Sequence, residues 1–473
     1  MAADTDSSAQ PERTAAPHMP PSAIAVETGI PRSRMALLFT VVLVSAAGNT
    51  AMQSVMPSIG TALGVADVWI SLAYSWSALL WVIFAPYWAS RSDRRGRKAM
   101  MALGLAGFVA SMGLCGAVLW IGLAGWLTPL LTLLLFALCR SLYGLLGSAA
   151  PPAVQAYVAS RTPRAERTQA LSLISSSFGL GTVIGPALAP LLIFPLVGLT
   201  GPFFSFAVIG IVAMVALRLR LPNDEPRFAA RGLAFDAPYG GSGAGRHATD
   251  DEAEGVGDTS PAAGQPLPEA SDAPVLKWTD PRIRPWLLSG LLGGHAQAMM
   301  LGIAGFLVLD RLGLRDDPMA GAGPVSIVLM IGAVATLLAQ WGLIPVLHLG
   351  PRISTLAGMA LSVVGAAIFG TAGDLHGIAL GFAIAALGFG LFRPGFTSGM
   401  SLSVSRPEQG QVSGKVASVN GASYIYAPAL GVWLYGHSDW IGFAAIIGFC
   451  VAVMVIGWTR LDSDEALMAR ADD

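Results

Sequence analysis

Apolar residues recur along this chain in runs of about twenty, each ended by a short patch of charge, glycine or proline, and period-two alternation is missing. A helix rising about 1.5 Å per residue needs a run of that length to cross a hydrocarbon core of about 30 Å, so the pattern predicts membrane-spanning helices. Twelve such spans fall near 35–57, 68–89, 99–121, 128–158, 167–195, 198–219, 284–309, 322–347, 353–372, 376–402, 411–435 and 439–459. After the sixth, the composition turns abruptly to Gly, Ala, Pro, Ser and acid, including Gly240-Gly241-Ser242-Gly243 and Asp250-Asp251-Glu252, too poor in apolar side chains to fold alone. The expected organisation is a disordered N-terminal tail over 1–33, a six-helix half over 34–220, a disordered acidic linker over 221–282, a second six-helix half over 283–460 and a C-terminal tail over 461–473.

Charge orients these spans. Arg91, Arg94, Arg95, Arg97 and Lys98 follow the second span; Arg161, Arg164 and Arg167 the fourth; Arg218 and Arg220 the sixth; Arg352 the eighth; and Arg406 the tenth. The opposite loops near 58–67, 122–127 and 195–198 hold no Lys or Arg. Because basic loops are retained on the cytoplasmic side, this asymmetry puts both termini in the cytoplasm of a multi-pass inner (plasma) membrane protein. The connection after the seventh span departs from it, with Arg311 and Arg315 beside Asp310, Asp316 and Asp317.

Composition agrees with a lipid-bilayer partner: 54% hydrophobic, 12% charged and a mean hydropathy of +0.62, against roughly one quarter charged in soluble domains. A net charge of −1, with basic residues confined to helix ends, excludes a nucleic-acid partner. Cys115, Cys139 and Cys450 lie inside apolar runs and read as core side chains, so no metal site or disulfide is expected. Gly410-Gln411-Val412-Ser413-Gly414-Lys415-Val416 is one residue short of a phosphate loop and lacks the hydroxyl after Lys. With no His-Glu-x-x-His or Gly-x-Ser-x-Gly motif either, neither an enzyme nor a cofactor is expected.

The two halves look duplicated. A shift of 242 superposes Arg164 on Arg406, Glu166 on Glu408, Gln169 on Gln411, Ser176 on Ser418, Gly179 on Gly421 and Pro186-Ala187-Leu188 on Pro428-Ala429-Leu430, all on the fifth and eleventh spans. The expected fold is all-α integral membrane, with twelve transmembrane helices in two pseudo-symmetric six-helix bundles around a central cavity.

Ser92-Asp93-Arg94-Arg95-Gly96-Arg97-Lys98, with Ala89 where a glycine is usual, resembles the motif after the second helix in the major facilitator superfamily. Arg140-Ser141-Leu142-Tyr143-Gly144 is similar to the arginine-bearing motif of the fourth helix, and Gly181-Thr182-Val183-Ile184-Gly185-Pro186-Ala187-Leu188-Ala189-Pro190 to the antiporter motif of the fifth without its last two glycines. The resemblance covers roughly 35–460 and extends to twelve-helix drug:proton antiporters. It implies a secondary transporter, functional as a monomer, that exports small amphipathic or lipophilic molecules by alternating access with protons as coupling ion. A proton-coupled importer of a sugar or organic anion is the alternative, and a non-transporting receptor on the same scaffold a third reading.

Site expectations follow. Asp93, Gly96 and Arg97 form a conformational latch, since a loop that merely orients the chain needs neither the acid nor the glycine. Arg140 lies near mid-membrane, where a guanidinium is expensive and usually faces a cavity; with His295 and Asn49 it is a coupling or cavity residue. An unperturbed imidazole changes charge close to working pH, which makes His295 a candidate coupling site, and no Asp or Glu lies at the centre of any span. Gly181, Gly185 and Pro186 give a smooth face for close helix contact. Gln53, Tyr143, Gln297, Asn420 and Tyr424 are candidates for the substrate cavity, as are Tyr426 and the aromatic faces of Trp76 and Trp81, while Arg393 and Lys415 read as snorkelling residues.

Overall fold

A computed structural model describes residues 30–162, 164–222, 276–405 and 408–471, and among these the regular structure is helical. The first half contains α1 (Arg32–Leu63), α2 (Asp67–Arg95), α3 (Arg97–Leu123), α4 (Pro129–Leu145), α5 (Ala150–Ala159), α6 (Arg164–Leu188) and α7 (Gly201–Arg220). The second contains α8 (Arg284–Arg311), α9 (Pro318–Leu337), α10 (Ile344–Leu347), α11 (Pro351–Thr371), α12 (Leu375–Leu402), α13 (Gln409–His437) and α14 (Asp439–Thr459), followed by a short α15 (Asp464–Ala471). The fourth span is α4 and α5 joined by one 3₁₀ turn, and the eighth is α9 and α10 joined by a π turn over Leu338–Leu343.

Local chemistry explains these ends and breaks. Thr128, Asp317 and Asp374 cap α4, α9 and α12 by accepting N–H groups of the first turn, and prolines at the starts of α4 and α9 cannot use the N–H they lack. The fourth span changes pitch just before Pro151-Pro152 and the eighth just before Pro345, where the missing N–H and the ring clash disrupt the regular ladder. The fifth span was expected to reach 195; instead α6 ends at Leu188 and Pro190 opens a 3₁₀ turn.

Among the described residues, eleven of the spans are long and apolar enough to cross a membrane. The remaining one, the eleventh span α13, has the length, at 29 residues, but carries Ser418, Asn420, Ser423, Tyr424 and Tyr426 in its middle. A helix so polar belongs among protein neighbours rather than in lipid, and α13 packs against α8 in its own half and α2 in the other.

Helix pairings repeat between the halves. α1 packs on α6 as α8 does on α13, α3 on α4 as α11 on α12, α3 on α7 as α11 on α14, and α2 on α4 as α9 on α12. Two like bundles therefore face each other, joined along α2–α13 and α6–α9, and the cavity lies between them. In the membrane the hydrophobic effect does not draw helices together, so close packing has to. Gly185 shows how close: a Cβ there would meet Ala47 O and the Thr50 hydroxyl on α1. Gly181 does the same one turn earlier, against Leu43 O at 2.8 Å.

The linker was expected to be disordered through residue 282, but its last residues are packed against α13; residues 223–275 lie outside those described. Leu276 is buried and its N–H donates to Gln411 Oε1 at 2.7 Å, while Lys415 Nζ sits 4.4 Å from the Trp278 ring centroid. Arg282 forks onto Glu408, Nη1 to Oε2 at 3.0 Å and Nη2 to Oε1 at 2.8 Å, and also holds Asp280. The expected C-terminal tail likewise contains α15, whose Asp464 accepts the N–H groups of Arg352 and Ile353 at 2.6 and 3.1 Å.

Hydrogen bonds from Arg282, outweighing burial and helped by Ser405, hold the Glu408 carboxyl at about 2 against an ordinary 4.5. The Arg282 fork likewise lowers Asp280. A depressed carboxylate contributes its stability above the unfolded value and loses it as pH falls through the folded one. Thermal unfolding of detergent-solubilised protein should show Arg282→Ala less stable than wild type above about pH 4.5, with the gap closing as pH falls towards about 2. A gap independent of pH would mean that the fork contributes through packing alone.

Candidate functional site

Five spans and part of a sixth converge on a partly enclosed cavity between the halves, with about 720 Å³ of space free of protein atoms. Thr50 and Gln53 of α1 and Thr182 and Pro186 of α6 face Gln297, Met300 and Leu301 of α8. Leu329, Gly332, Ala333 and Thr336 of α9, Phe382, Ala386 and Phe389 of α12, and Tyr424 of α13 complete the wall. The polar groups are all neutral amides or hydroxyls, and the rest is aliphatic or aromatic, a lining suited to a small amphipathic guest. Helical spacing produces these stripes: Thr50 and Gln53 are three apart, Thr182 and Pro186 four, and Phe382, Ala386 and Phe389 four then three.

Gln53, Gln297, Tyr424 and Pro186 thus line the cavity, whereas Asn49, Tyr143, Arg140, His295 and Asn420 do not. Arg140 is fully buried in the first bundle, where its Nη2 donates to Asn49 Oδ1 and its guanidinium carbon lies 4.3 Å from the Tyr143 ring centroid. The Asn49 amide donates to Tyr143 Oη and to Ser45 O at 2.8 Å, so one asparagine holds both arginine and tyrosine. Trp81 covers the knot, 5.0 Å from Tyr143 between ring centroids. Trp76 points outward, 47% exposed, with its indole N–H on Ser141 Oγ at 2.7 Å.

His295, expected beside the cavity, lies two residues from Gln297 and therefore on another face of α8. Its Nε2 is 2.6 Å from Tyr426 Oη and its Nδ1 2.6 Å from Leu291 O, and Phe449 of α14 packs 6.2 Å away. Tyr426 is itself exposed on the outside of the bundle. Arg393 is not the snorkelling residue that the sequence suggested: it is 3% exposed and lies 5.9 Å from the ring of the cavity residue Tyr424.

Of the residues expected to form a latch, Gly96 takes φ 87°, a backbone conformation that favours glycine, and separates α2 from α3. Arg97 is buried and donates to Ser160 at the end of α5, in the same half. The Asp93 side chain lies outside those described.

At the opposite end of the bundle the halves are held together by ion pairs that no sequence pattern announced. Arg315 forks onto Asp67, Nη1 to Oδ1 at 2.9 Å and Nη2 to Oδ2 at 2.7 Å, and reaches Thr61 at 3.1 Å, all on the other half. Its Nε holds Asp310 at 2.6 Å, and Asp310 also accepts the Tyr435 hydroxyl at 2.8 Å. Arg311 pairs with Asp439 at 2.8 Å. Both arginines that broke the charge asymmetry are thus matched by carboxylates. A tendency to sit near acids was visible in the sequence, but the partner Asp67, 248 positions away, was not.

Removing either partner should loosen that end of the bundle. Arg315→Ala and Asp67→Asn should each increase labelling of a cysteine introduced at Gln53, while the double variant should add less than the sum, with a coupling of about 1 kcal/mol expected for a half-exposed pair. Strict additivity would remove the pair from the closure. Gly185→Leu, which drives a side chain into α1, should lower stability by about 1–3 kcal/mol in thermal unfolding. An unchanged midpoint would show that the helices can part.

A family model described as Major Facilitator Superfamily matches residues 38–345. The multidrug resistance protein MdtG of Proteus mirabilis is 31% identical over 186 residues, 38% of this chain and 43% of that protein. MdtG of Citrobacter koseri is 33% identical over 165 residues, 34% and 36% of the two chains, so these alignments span less than half of either relative. Among solved structures, a bacterial homologue of the human lysosomal transporter Spinster, inward-facing and unoccupied, superposes with a TM-score of 0.63 at 13% identity over 93% of this chain and 97% of that one. The human organic anion transporter MFSD10 gives 0.57 at 16% over 90% and 100%, and the nucleoside transporter NupG 0.57 at 13% over 92% and 99%. At these identities the solved structures speak for the fold alone. Two like six-helix bundles enclosing a shared cavity, together with a family match over most of the chain, make this protein a member of the major facilitator superfamily.

Proposed function

We propose that this transporter is a secondary exporter of small amphipathic or lipophilic molecules, working by alternating access and driven by proton entry. The observation that carries the reading is the cavity, shared by both halves and lined by neutral hydrogen-bonding groups interleaved with Phe382, Phe389, Met300 and Leu329. A guest with an apolar body and one or two polar groups finds both kinds of contact there without an obligatory ion pair. The partial likeness to multidrug resistance proteins and the antiporter-type run Gly181–Pro186 against α1 support export.

Orientation follows from the basic loops: both termini face the cytoplasm of the inner membrane, and Arg315–Asp67 closes the outer mouth. Asp93, Gly96 and Arg97 act as the latch at the cytoplasmic end, and the chain works as a monomer. Arg140 and Asn49 take part in coupling through the first bundle, changing their hydrogen bonds as the halves rock. His295 joins that role only through Tyr426, since it stands off the cavity.

The test is proton movement in everted vesicles energised acid-inside, with a panel of lipophilic cations, neutral aromatic drugs and organic acids, and Asp93→Asn as control. Export by antiport gives substrate-dependent proton release that is lost in the control. Protons and added substrate moving together into the vesicles would identify a proton-coupled importer, and no flux with any compound in a correctly inserted protein would reject transport of this class.

A further inference from the structure

Polar side chains within membrane helices usually satisfy one another, because hydrocarbon offers them no partner and an unpaired polar group is costly there. Asn49 follows that rule in the first bundle, bonded to Arg140, Tyr143 and Ser45 O, and His295 follows it in the second, bonded to Tyr426 and Leu291 O. Gln53 and Gln297 break it. Both line the cavity, and neither makes a hydrogen bond to another described residue.

The threonines beside them are already committed. Thr50 donates to Ala46 O at 3.0 Å, Thr182 to Gly179 O at 2.7 Å and Thr336 to Gly332 O at 3.0 Å, so their protons turn into their own helices and only oxygen lone pairs remain for a guest. The two carboxamides, in contrast, each keep an N–H donor and a carbonyl acceptor side by side in one plane. One stands on α1 of the first half and the other on α8 of the second, so a guest that reaches both ties the halves together.

A carboxamide is matched best by another amide edge, an N–H beside a C=O in the cis arrangement of a lactam. The lactam carbonyl has two lone pairs and accepts from both glutamines, while its N–H donates to the oxygen of one. A carboxylate can only accept and an ammonium can only donate, so either leaves part of each glutamine unpaired in a partly enclosed site. The rest of the wall suits a flat ring: Phe382 and Phe389 lie seven residues apart on one face of α12, joined by Met300 and Leu329.

We propose that the preferred substrate is an uncharged, planar ring compound with a lactam edge, and that Gln53 and Gln297 are its specificity determinants. The proposal rests on the export reading and narrows its substrate class.

The test uses three neutral ligands on one fused-ring body: carbostyril, which has both N–H and C=O; N-methylcarbostyril, which keeps only the C=O; and its isomer 2-methoxyquinoline, which has neither. Each is titrated into the full-length protein in phosphatidylcholine nanodiscs, with empty nanodiscs subtracted. Wild type should bind carbostyril at least about tenfold more tightly than 2-methoxyquinoline, with N-methylcarbostyril between them. Gln53→Met and Gln297→Met keep the side chain's length and remove its hydrogen bonds. Each should cut that preference about threefold or more while leaving 2-methoxyquinoline within about twofold, a selective change that a damaged fold would not produce. Equal or tighter binding of 2-methoxyquinoline by wild type overturns the lactam assignment and leaves export of amphipathic molecules standing; no variant has to fold for that comparison. A preference undiminished in both variants overturns the role of the two glutamines. In everted vesicles, carbostyril moving with protons rather than against them supports the site and overturns the export reading alone. Binding of none of the three to correctly folded wild type overturns the lactam assignment, and export is then decided by the wider panel of compounds.

Discussion

Arg140 must be solvated by protein, because neither water nor lipid reaches it at full burial inside a bundle of apolar helices. Asn49 accepts from the guanidinium while donating to Tyr143, and Tyr143 offers its ring to the same cation. α1 and α4 are thereby fixed to one another at mid-membrane. α1 in turn packs against α6 through Gly181 and Gly185, and the Thr50 hydroxyl reaches Gly181 O at 3.2 Å. The wall that α1 and α6 give the cavity thus inherits its position from a buried charge and from the absence of two side chains.

Stiffness and mobility divide along the same lines. Inside each half, helices meet through glycines with no room for a Cβ, contacts that dispersion makes firm and rigid. Between the halves, at the Arg315 end, contact is ionic and half-exposed, where water can replace each partner at modest cost. Rigid bundles joined by replaceable contacts are what the alternating access proposed for this chain requires, since the halves would have to rock without either one unfolding.

Polarity is also distributed by depth. Carboxylates gather at helix ends: Asp67, Asp310 and Asp439 at one end of the bundle, Glu408 and Asp464 at the other. There they cap helices and clasp arginines where solvent is near. Among the described residues, the interior keeps amides, hydroxyls, the His295 imidazole and two guanidiniums. α13 carries so many polar groups that it falls short of the apolarity of the other spans, and it packs on both α8 and α2.

The sequence by itself determined the element type, the number of spans and their division into two related halves. Each follows from local quantities: the length of an apolar run, the position of a basic loop, the repeat of Pro186-Ala187-Leu188 as Pro428-Ala429-Leu430. It also marked Arg140, because a charge in an apolar run is conspicuous in one dimension. Which way each side chain points was settled only by tertiary packing. His295 and Gln297 are two residues apart and look alike as polar interruptions, yet helical rotation sends one towards Tyr426 and the other into the cavity. Arg393 looked free to snorkel until α12 packed it beside Tyr424, and Asp67 found Arg315 only once the halves met. A period of 3.6 residues fixes relative facing along one helix, but the absolute facing depends on its neighbours, and those come from distant parts of the chain.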